Sequence, residues 1–285
     1  MRPLDVLIGA VLAGVIAFVA WRARALTRSG AVAAFVVGTL TYAAGTIGFT
    51  LILLAFFGSS VALSRVGRAR KRALVDVGKH GARDALQVLA NGGVATACAV
   101  GFGLTHDVRW AIAFAGAYAA ATADTWATEI GTLARQTPRS IVSFRPVSAG
   151  MSGGITLSGT LAQVAGALWI GLVAPAGIVL AYALGESDFG ISFGGPVVWA
   201  VIRELSIVPL AGIAGATADS LLGATVQELR QCDACDRTCE TDPHMCGNPT
   251  RRVRGLWGMS NDVVNLAATA VGAAVAVALA LPSHH

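Results

Sequence analysis

The feature that most limits what this chain can fold into is the length of its apolar runs. They fall into blocks close to the ~20 residues with which an α-helix crosses the hydrocarbon core of a bilayer. Eight such blocks are readable, at about 4–21, 30–45, 46–64, 86–104, 109–124, 153–174, 205–223 and 262–281. Inside lipid only helices and closed barrels satisfy every backbone N–H and C=O, and runs of this length suit helices. The chain is therefore expected to be an all-α, polytopic transmembrane bundle of about eight spans, six at the fewest. It forms a single integral-membrane domain over 1–285. The second block is short and Gly-rich, so a re-entrant segment suits it as well as a full crossing. Residues 175–183 can extend the sixth. The first block lacks the basic leader and clean small-residue cleavage site of a signal peptide and reads as a helix. With 55% hydrophobic and 13% charged residues, the composition leaves too little polar surface for a soluble domain of 285 residues.

The cations test the span count. Of 21 Lys and Arg residues, all but Arg2, Arg109 and Arg203 fall on one side of an eight-span chain. By the positive-inside rule that side is cytoplasmic, both termini face outward, and the protein is a multi-pass cell-membrane protein. The net charge of +5 follows from this topology, so no nucleic-acid partner is implied.

The same topology collects the polar motifs at the cytoplasmic face. Ala121-Thr122-Ala123-Asp124-Thr125 recurs as Ala216-Thr217-Ala218-Asp219-Ser220. Each copy places a carboxylate near the cytoplasmic end of a span, where an ionisable residue is costly and points to function. Asp124 is expected to end the fifth span, with Thr128 one turn on and Glu129 beside it. Asn261, Asp262 and Asn265 open the eighth span at the same level. Carboxylate and amide oxygens in a basic, Gly-rich setting suit Mg²⁺ that also carries phosphate ligands. Helix capping would explain Asn261 or Asp262, but acidic residues do not favour the C-terminal ends where Asp124 and Asp219 fall.

Three further segments could meet phosphate. The sixth span is expected to start around Gly153-Gly154, offering backbone N–H groups and a positive helix end, although glycine is also ordinary packing material in membranes. Lys79 and Arg83 are four apart and would form one cationic edge of a helix. Asn91 interrupts the fourth span one turn in from the same face. The Arg65–Arg72 run reads instead as a juxtamembrane segment attracted to anionic lipid.

Residues 224–260 form a short Cys-rich cytoplasmic loop holding Cys232, Cys235, Cys239, His244 and Cys246. Disulfides do not persist in the cytoplasm, and these gaps resemble tetrahedral zinc ligation. The expected set is Cys232, Cys235, Cys246 and either Cys239 or His244. A closed four-ligand site would be structural, pinning the loop between the last two spans. Cys98 lies within the fourth span and reads as packing.

Together these motifs resemble one family. The stretches are Leu26–Ala34, Gln87–Gly92, Ala123–Gly131, the Gly-Gly-x-Thr-Leu-x-Gly-Thr run at 153–160, Gly215–Gly223 and Asn261–Asn265. In this order they resemble the integral-membrane domain-of-unknown-function family ninety-two, which includes plant phytyl-phosphate kinase. The resemblance implies a kinase that transfers a phosphoryl group from a nucleoside triphosphate, CTP by analogy with related prenol kinases, to an isoprenoid monophosphate. Asp124, Glu129, Asp219 and Asp262 would be catalytic through one or two Mg²⁺ ions. Lys79, Arg83, Asn91, Gly153, Gly154, Asn261 and Asn265 would bind phosphate or nucleotide, and the isoprenoid tail would lie among membrane lipid. A transporter or lipid flippase with paired Asp motifs is the rival reading, since internal repeats and Gly-broken helices also suit a carrier.

Overall fold

The computed structural model describes residues 1–68, 71, 81–185 and 195–280, the segment 195–204 by its backbone alone. Lys79 lies outside the described residues. Among the described residues the chain forms α1 (Pro3–Arg22), α2 (Arg28–Arg65), α3 (Ala85–Thr105), α4 (Val108–Gly131), α5 (Leu157–Ala183), α6 (Gly195–Thr225) and α7 (Asn261–Ala280). Six of them are long and apolar enough to cross a membrane. The exception, α4, is built largely of Ala, Gly and Thr. It touches α2, α3, α5, α6 and α7, and Phe114, Ala115, Ala117, Tyr118 and Ala119 on it are fully buried. A helix walled in by other helices gains from small residues that let backbones close up, and needs no lipid-facing bulk.

α2 runs for 38 residues. A straight helix of that length would span about 57 Å, nearly twice the bilayer core. It is broken at Thr46, whose φ of 49° and ψ of −138° are non-helical. The contacts show that the two arms run in opposite directions. Position 30 lies against Arg83 and position 44 against Gly103, whereas Phe49 packs on Phe102 and Phe56 on Tyr118. Further on, Trp126 Nε1 donates to Ser59 Oγ at 3.2 Å. Residues 28–45 thus cross fully rather than re-enter. Among the described residues six helices are long enough and apolar enough to cross a membrane, and α2 runs along the bundle twice. Successive contacts alternate their direction, and the basic residues of the described loops share one end of the bundle. At the opposite end, Arg2 pairs with Asp5 and Arg109 with Asp107.

Two helix starts explain themselves locally. Thr27 caps α2, its Oγ1 accepting from the Gly30 N–H. Asp84 and Gln87 form a reciprocal capping box at the start of α3. These starts are tied together: Thr27 N–H donates to the Arg83 carbonyl and Arg83 N–H to the Ala25 carbonyl, both at 3.0 Å. A Cβ at position 30 would sit 2.1 Å from the Arg83 carbonyl oxygen, so the join requires glycine.

The polar loops carry small antiparallel sheets. β1 (Arg139–Ser140) pairs with β2 (Gly154–Ile155). Within 224–260, β3 (Leu229–Cys232) lies between β4 (Arg237–Cys239) and β5 (Arg251–Arg254). The expected Cys-rich loop is therefore a folded sheet. It is fastened to the bundle by Leu256 N–H to the Val226 carbonyl and by Arg254 to the Gly223 carbonyl near the end of α6. A cation suits that end of a helix.

Candidate active site at the basic end of the bundle

The two Ala-Thr-Ala-Asp motifs stand side by side. α4 and α6 run parallel, and a Cβ at Gly215 would meet the Ala120 Cβ at 2.4 Å. Each aspartate lies four residues beyond that contact, so Asp124 and Asp219 share one depth. Neither ends its helix: α4 continues to Gly131 and α6 to Thr225. The helix that carries Asp124 thus extends two turns past the block expected from the sequence. The continuing turns carry Thr128 and Glu129, polar enough to pass beyond the lipid.

Both aspartates line a cavity of about 580 Å³ at the basic end. Its wall also holds Glu129, Asp262, Arg83, Asn91, Gly153, Gly154, Asn261 and Asn265. The structure thus places every described polar candidate of the bundle on one cavity. Asp219 and Asp262 are buried. Asp219 Oδ2 has no hydrogen-bond partner among the described residues. Asp124 and Glu240 line the same cavity. Like charges converging in a low-dielectric site, with an oxygen left over, are the donor set expected of a hard cation. Asp262 does not serve as the cap of α7. Ser260 does so, accepting from Val263 N–H on its hydroxyl and Val264 N–H on its carbonyl.

Three candidates sit differently from expectation. Gly153 and Gly154 precede the helix instead of starting it. α5 begins at Leu157, capped by Thr156, whose Oγ1 accepts from Gly159 N–H at 3.0 Å. The strand pairing of Gly154 with Ser140 holds this segment out of the helix. Gly153 has φ +77°, and a Cβ there would lie 2.5 Å from Ala224, so it lets the loop press onto α6. The first turn of α5 still opens on the cavity through Thr156, Gly159 and Thr160. Glu129, expected among the metal ligands, is engaged by Lys71 Nζ at 2.5 Å.

Several cavity residues were missed by sequence reasoning. Arg24, Arg65, Arg68 and Lys71 join Arg83 on its wall. The run at 65–72 looked like a lipid-facing segment because sequence shows its charge but not the side it faces. Burial lowers the affinity of the Arg83 guanidinium for its proton, while the Glu129 charge opposes that shift. Glu240 reaches in from beyond β4, accepting from Ser152 N–H, Ser152 Oγ and Gln227 Nε2. Burial pushes its carboxyl up, and these hydrogen bonds and Arg254 hold it down. Gln163 Nε2 bridges α5 to α6 through Thr217 Oγ1 and the Ile213 carbonyl.

A second, apolar recess adjoins the first. It runs between α1, both arms of α2, and α3, with about 100 Å³ of free volume. Leu12, Ile16, Val37, Leu53, Leu54 and Phe57 are among its walls. Arg83, Gln87, Asn91 and Thr125 line both spaces, so a charged chamber and an apolar groove meet at one partition.

In the loop sheet, Cys232, Cys235, His244 and Cys246 bring their ligand atoms within 4.8 Å of one another. His244, rather than Cys239, is the fourth residue of this cluster. Cys239 Sγ turns away to donate to the Thr241 carbonyl at 3.5 Å.

The fold and site define a multi-pass helical membrane protein with a polar chamber at its basic end. The chain belongs to the family described as integral membrane protein DUF92, which it matches over residues 11–273. It is 31% identical over 273 residues to Protein PGR of Arabidopsis thaliana, covering 90% of this chain and 89% of that one. An uncharacterized membrane protein of Methanocaldococcus jannaschii is 32% identical over 270 residues, covering 92% and 89%. Protein VTE6, chloroplastic, of Arabidopsis thaliana is 30% identical over 189 residues, covering 59% and 56%. No solved structure matches.

Proposed function

We propose that this protein is an isoprenoid-phosphate kinase, transferring a phosphoryl group from a nucleoside triphosphate to a prenyl monophosphate at the cytoplasmic membrane face. The observation that carries the reading is the shared wall of Arg83, Gln87, Asn91 and Thr125, where the charged chamber meets the apolar groove. An amphiphile with an anionic head and a hydrocarbon tail matches that pairing of spaces. The resemblance to the family of plant phytyl-phosphate kinase supports the same substrate class, and its related prenol kinases point to CTP as donor.

The chemistry asks for positioning and charge neutralisation more than for covalent catalysis. The residues that would hold Mg²⁺ are Asp124, Asp219 and Asp262. Bound there, the ion would supply charge neutralisation between donor and acceptor phosphates. Arg83, Arg68 and Arg24 face the chamber and would hold phosphate oxygens. Lys71, oriented by Glu129, stands ready to do the same. The first turn of α5 presents its positive end to the chamber. An oxygen of the acceptor monophosphate bonds to the terminal phosphorus of the donor as the bond to the bridging oxygen breaks. The isoprenoid diphosphate and a nucleoside diphosphate leave. No proton need be removed, because the acceptor is already an anion.

The test uses the purified full chain in lipid nanodiscs with a panel of prenyl monophosphates and γ-labelled CTP, ATP, GTP or UTP, with and without Mg²⁺. The expected result is metal-dependent labelling of the prenyl product. Transbilayer movement of the lipid without any labelling would favour the carrier reading instead.

A further inference from the structure

We propose that Cys232, Cys235, His244 and Cys246 bind a structural Zn²⁺, and that this metal knot holds Glu240 against the wall of the chamber. The inference does not rest on the kinase reading, because neither its geometry nor its test involves phosphoryl transfer.

The four ligand atoms lie close enough together to share one metal ion. Four Zn–S and Zn–N bonds of roughly 2.3 and 2.0 Å place neighbouring ligand atoms ~3.5–3.8 Å apart. Cys232 Sγ and Cys246 Sγ lie 3.6 Å apart, and His244 Nδ1 lies 3.1 Å from Cys246 Sγ. The sulfur pair is far beyond the ~2.05 Å of a disulfide, and all five cysteines are free. Cys232 and His244 are buried while Cys235 and Cys246 are exposed. Two of the ligands are thus shielded and two face solvent. Asn248 Nδ2 donates to Cys246 Sγ at 3.3 Å, and Asn248 O accepts from His244 N–H. Such contacts fix ligand orientation around a metal. Four protein ligands leave no open position, so the role is structural.

What the knot secures follows from the chain path. Cys232 ends β3 and Cys235 lies in the turn before β4. His244 and Cys246 lie on the loop after it, so the ligands bracket the segment that carries Glu240. Asp242 fastens that segment as well. Asp242 accepts from Thr250 N–H and Thr250 Oγ1 and pairs with Arg230. Glu240 itself grips Ser152 on the loop ahead of α5, 88 residues away in sequence. The metal therefore fastens a loop between α6 and α7 to the entrance of α5.

The experiment begins with the full chain purified without chelator in detergent. Metal analysis is expected to find about one zinc per chain. Co²⁺ exchange should give the thiolate charge-transfer and tetrahedral d–d bands. Cys235→Ser and Cys246→Ser are expected to lose zinc, whereas Cys239→Ser and Cys98→Ser retain it. Monodispersity on size exclusion separates ligand loss from misfolding, and wild-type protein stripped by chelator gives the same comparison without any variant. Hydrogen exchange on stripped and refilled wild type reads the second half of the proposal, with faster exchange expected at 239–247 and at 150–154 when zinc is absent. Three results would overturn the proposal. They are wild type that holds no stoichiometric zinc after titration, loss of zinc in Cys239→Ser equal to that in Cys235→Ser, or exchange at 150–154 indifferent to the metal.

Discussion

The chamber and the groove share a wall and differ in almost everything else. The chamber gathers carboxylates, guanidiniums and an ammonium from α2, α4, α6, α7 and the loops. The groove draws on α1, the two arms of α2, α3 and α4, and is nearly bare of charge beyond Arg83. Charge buried at bilayer depth is tolerated only where opposite charges or ions can answer it, so the polar residues are confined to one compartment. The lesson is that the bundle keeps a charged space and an apolar space side by side on largely shared helices. Each compartment can then be altered alone.

The largest effect should come from the chamber. Asp124→Asn or Asp219→Asn is expected to lower phosphoryl transfer by about 10²-fold or more, the scale of losing one stabiliser of transition-state charge. Insertion and monodispersity should be unchanged, and full activity in either variant would remove the metal role. Next is the partition. Arg83→Met should reduce kcat/KM by roughly 10-fold to 100-fold for every substrate, whatever its tail, as expected for loss of one charged phosphate contact of about 1.5–3 kcal/mol. A loss confined to long tails would place Arg83 in the groove alone. Leu54→Trp touches only the groove. It should raise KM for long prenyl phosphates and leave short ones unaffected, and a uniform effect on both would sever the groove from the tail. Smallest is Asp84→Ala, which deletes the capping box at the start of α3. It should cost about 1 kcal/mol of stability, seen as a modest fall in Tm with activity per folded molecule retained.

Much of this was readable in the sequence because lipid imposes a simple rule on helices. Run length gave the passes, and cation bias gave the end where the polar motifs meet. The break at Thr46 coincides with the boundary placed between the second and third blocks. What sequence could not supply was direction around a helix axis and contact between distant loops. Arg65 and Arg68 carry the same charge whether they face lipid headgroups or a chamber. Glu240 sits in a Cys-rich stretch whose spacing speaks of metal, and nothing in it announces a partner at Ser152. The start of α5 was misplaced because glycines at 153 and 154 look like a helix entrance. Only the pairing of β1 with β2 shows that they are spent on a strand and a tight approach to α6. Cys239 and His244 are equal candidates by spacing, and the folded loop separates them: Cys239 Sγ turns to the Thr241 carbonyl while His244 joins Cys232, Cys235 and Cys246.

The side-by-side placement of Asp124 and Asp219 has an electrical consequence. A charge that moves along the bilayer normal exchanges about 2.3 kcal/mol with each 100 mV of membrane potential, in proportion to the fraction of the field it crosses. Two carboxylates level with each other, with Ala120 touching Gly215 four residues before each, mark out a path parallel to the membrane plane. A cation held between them, as proposed, would cross almost none of the field. The site should therefore run at the same rate in polarised and depolarised vesicles, indifferent to the voltage that a carrier working across the bilayer has to obey.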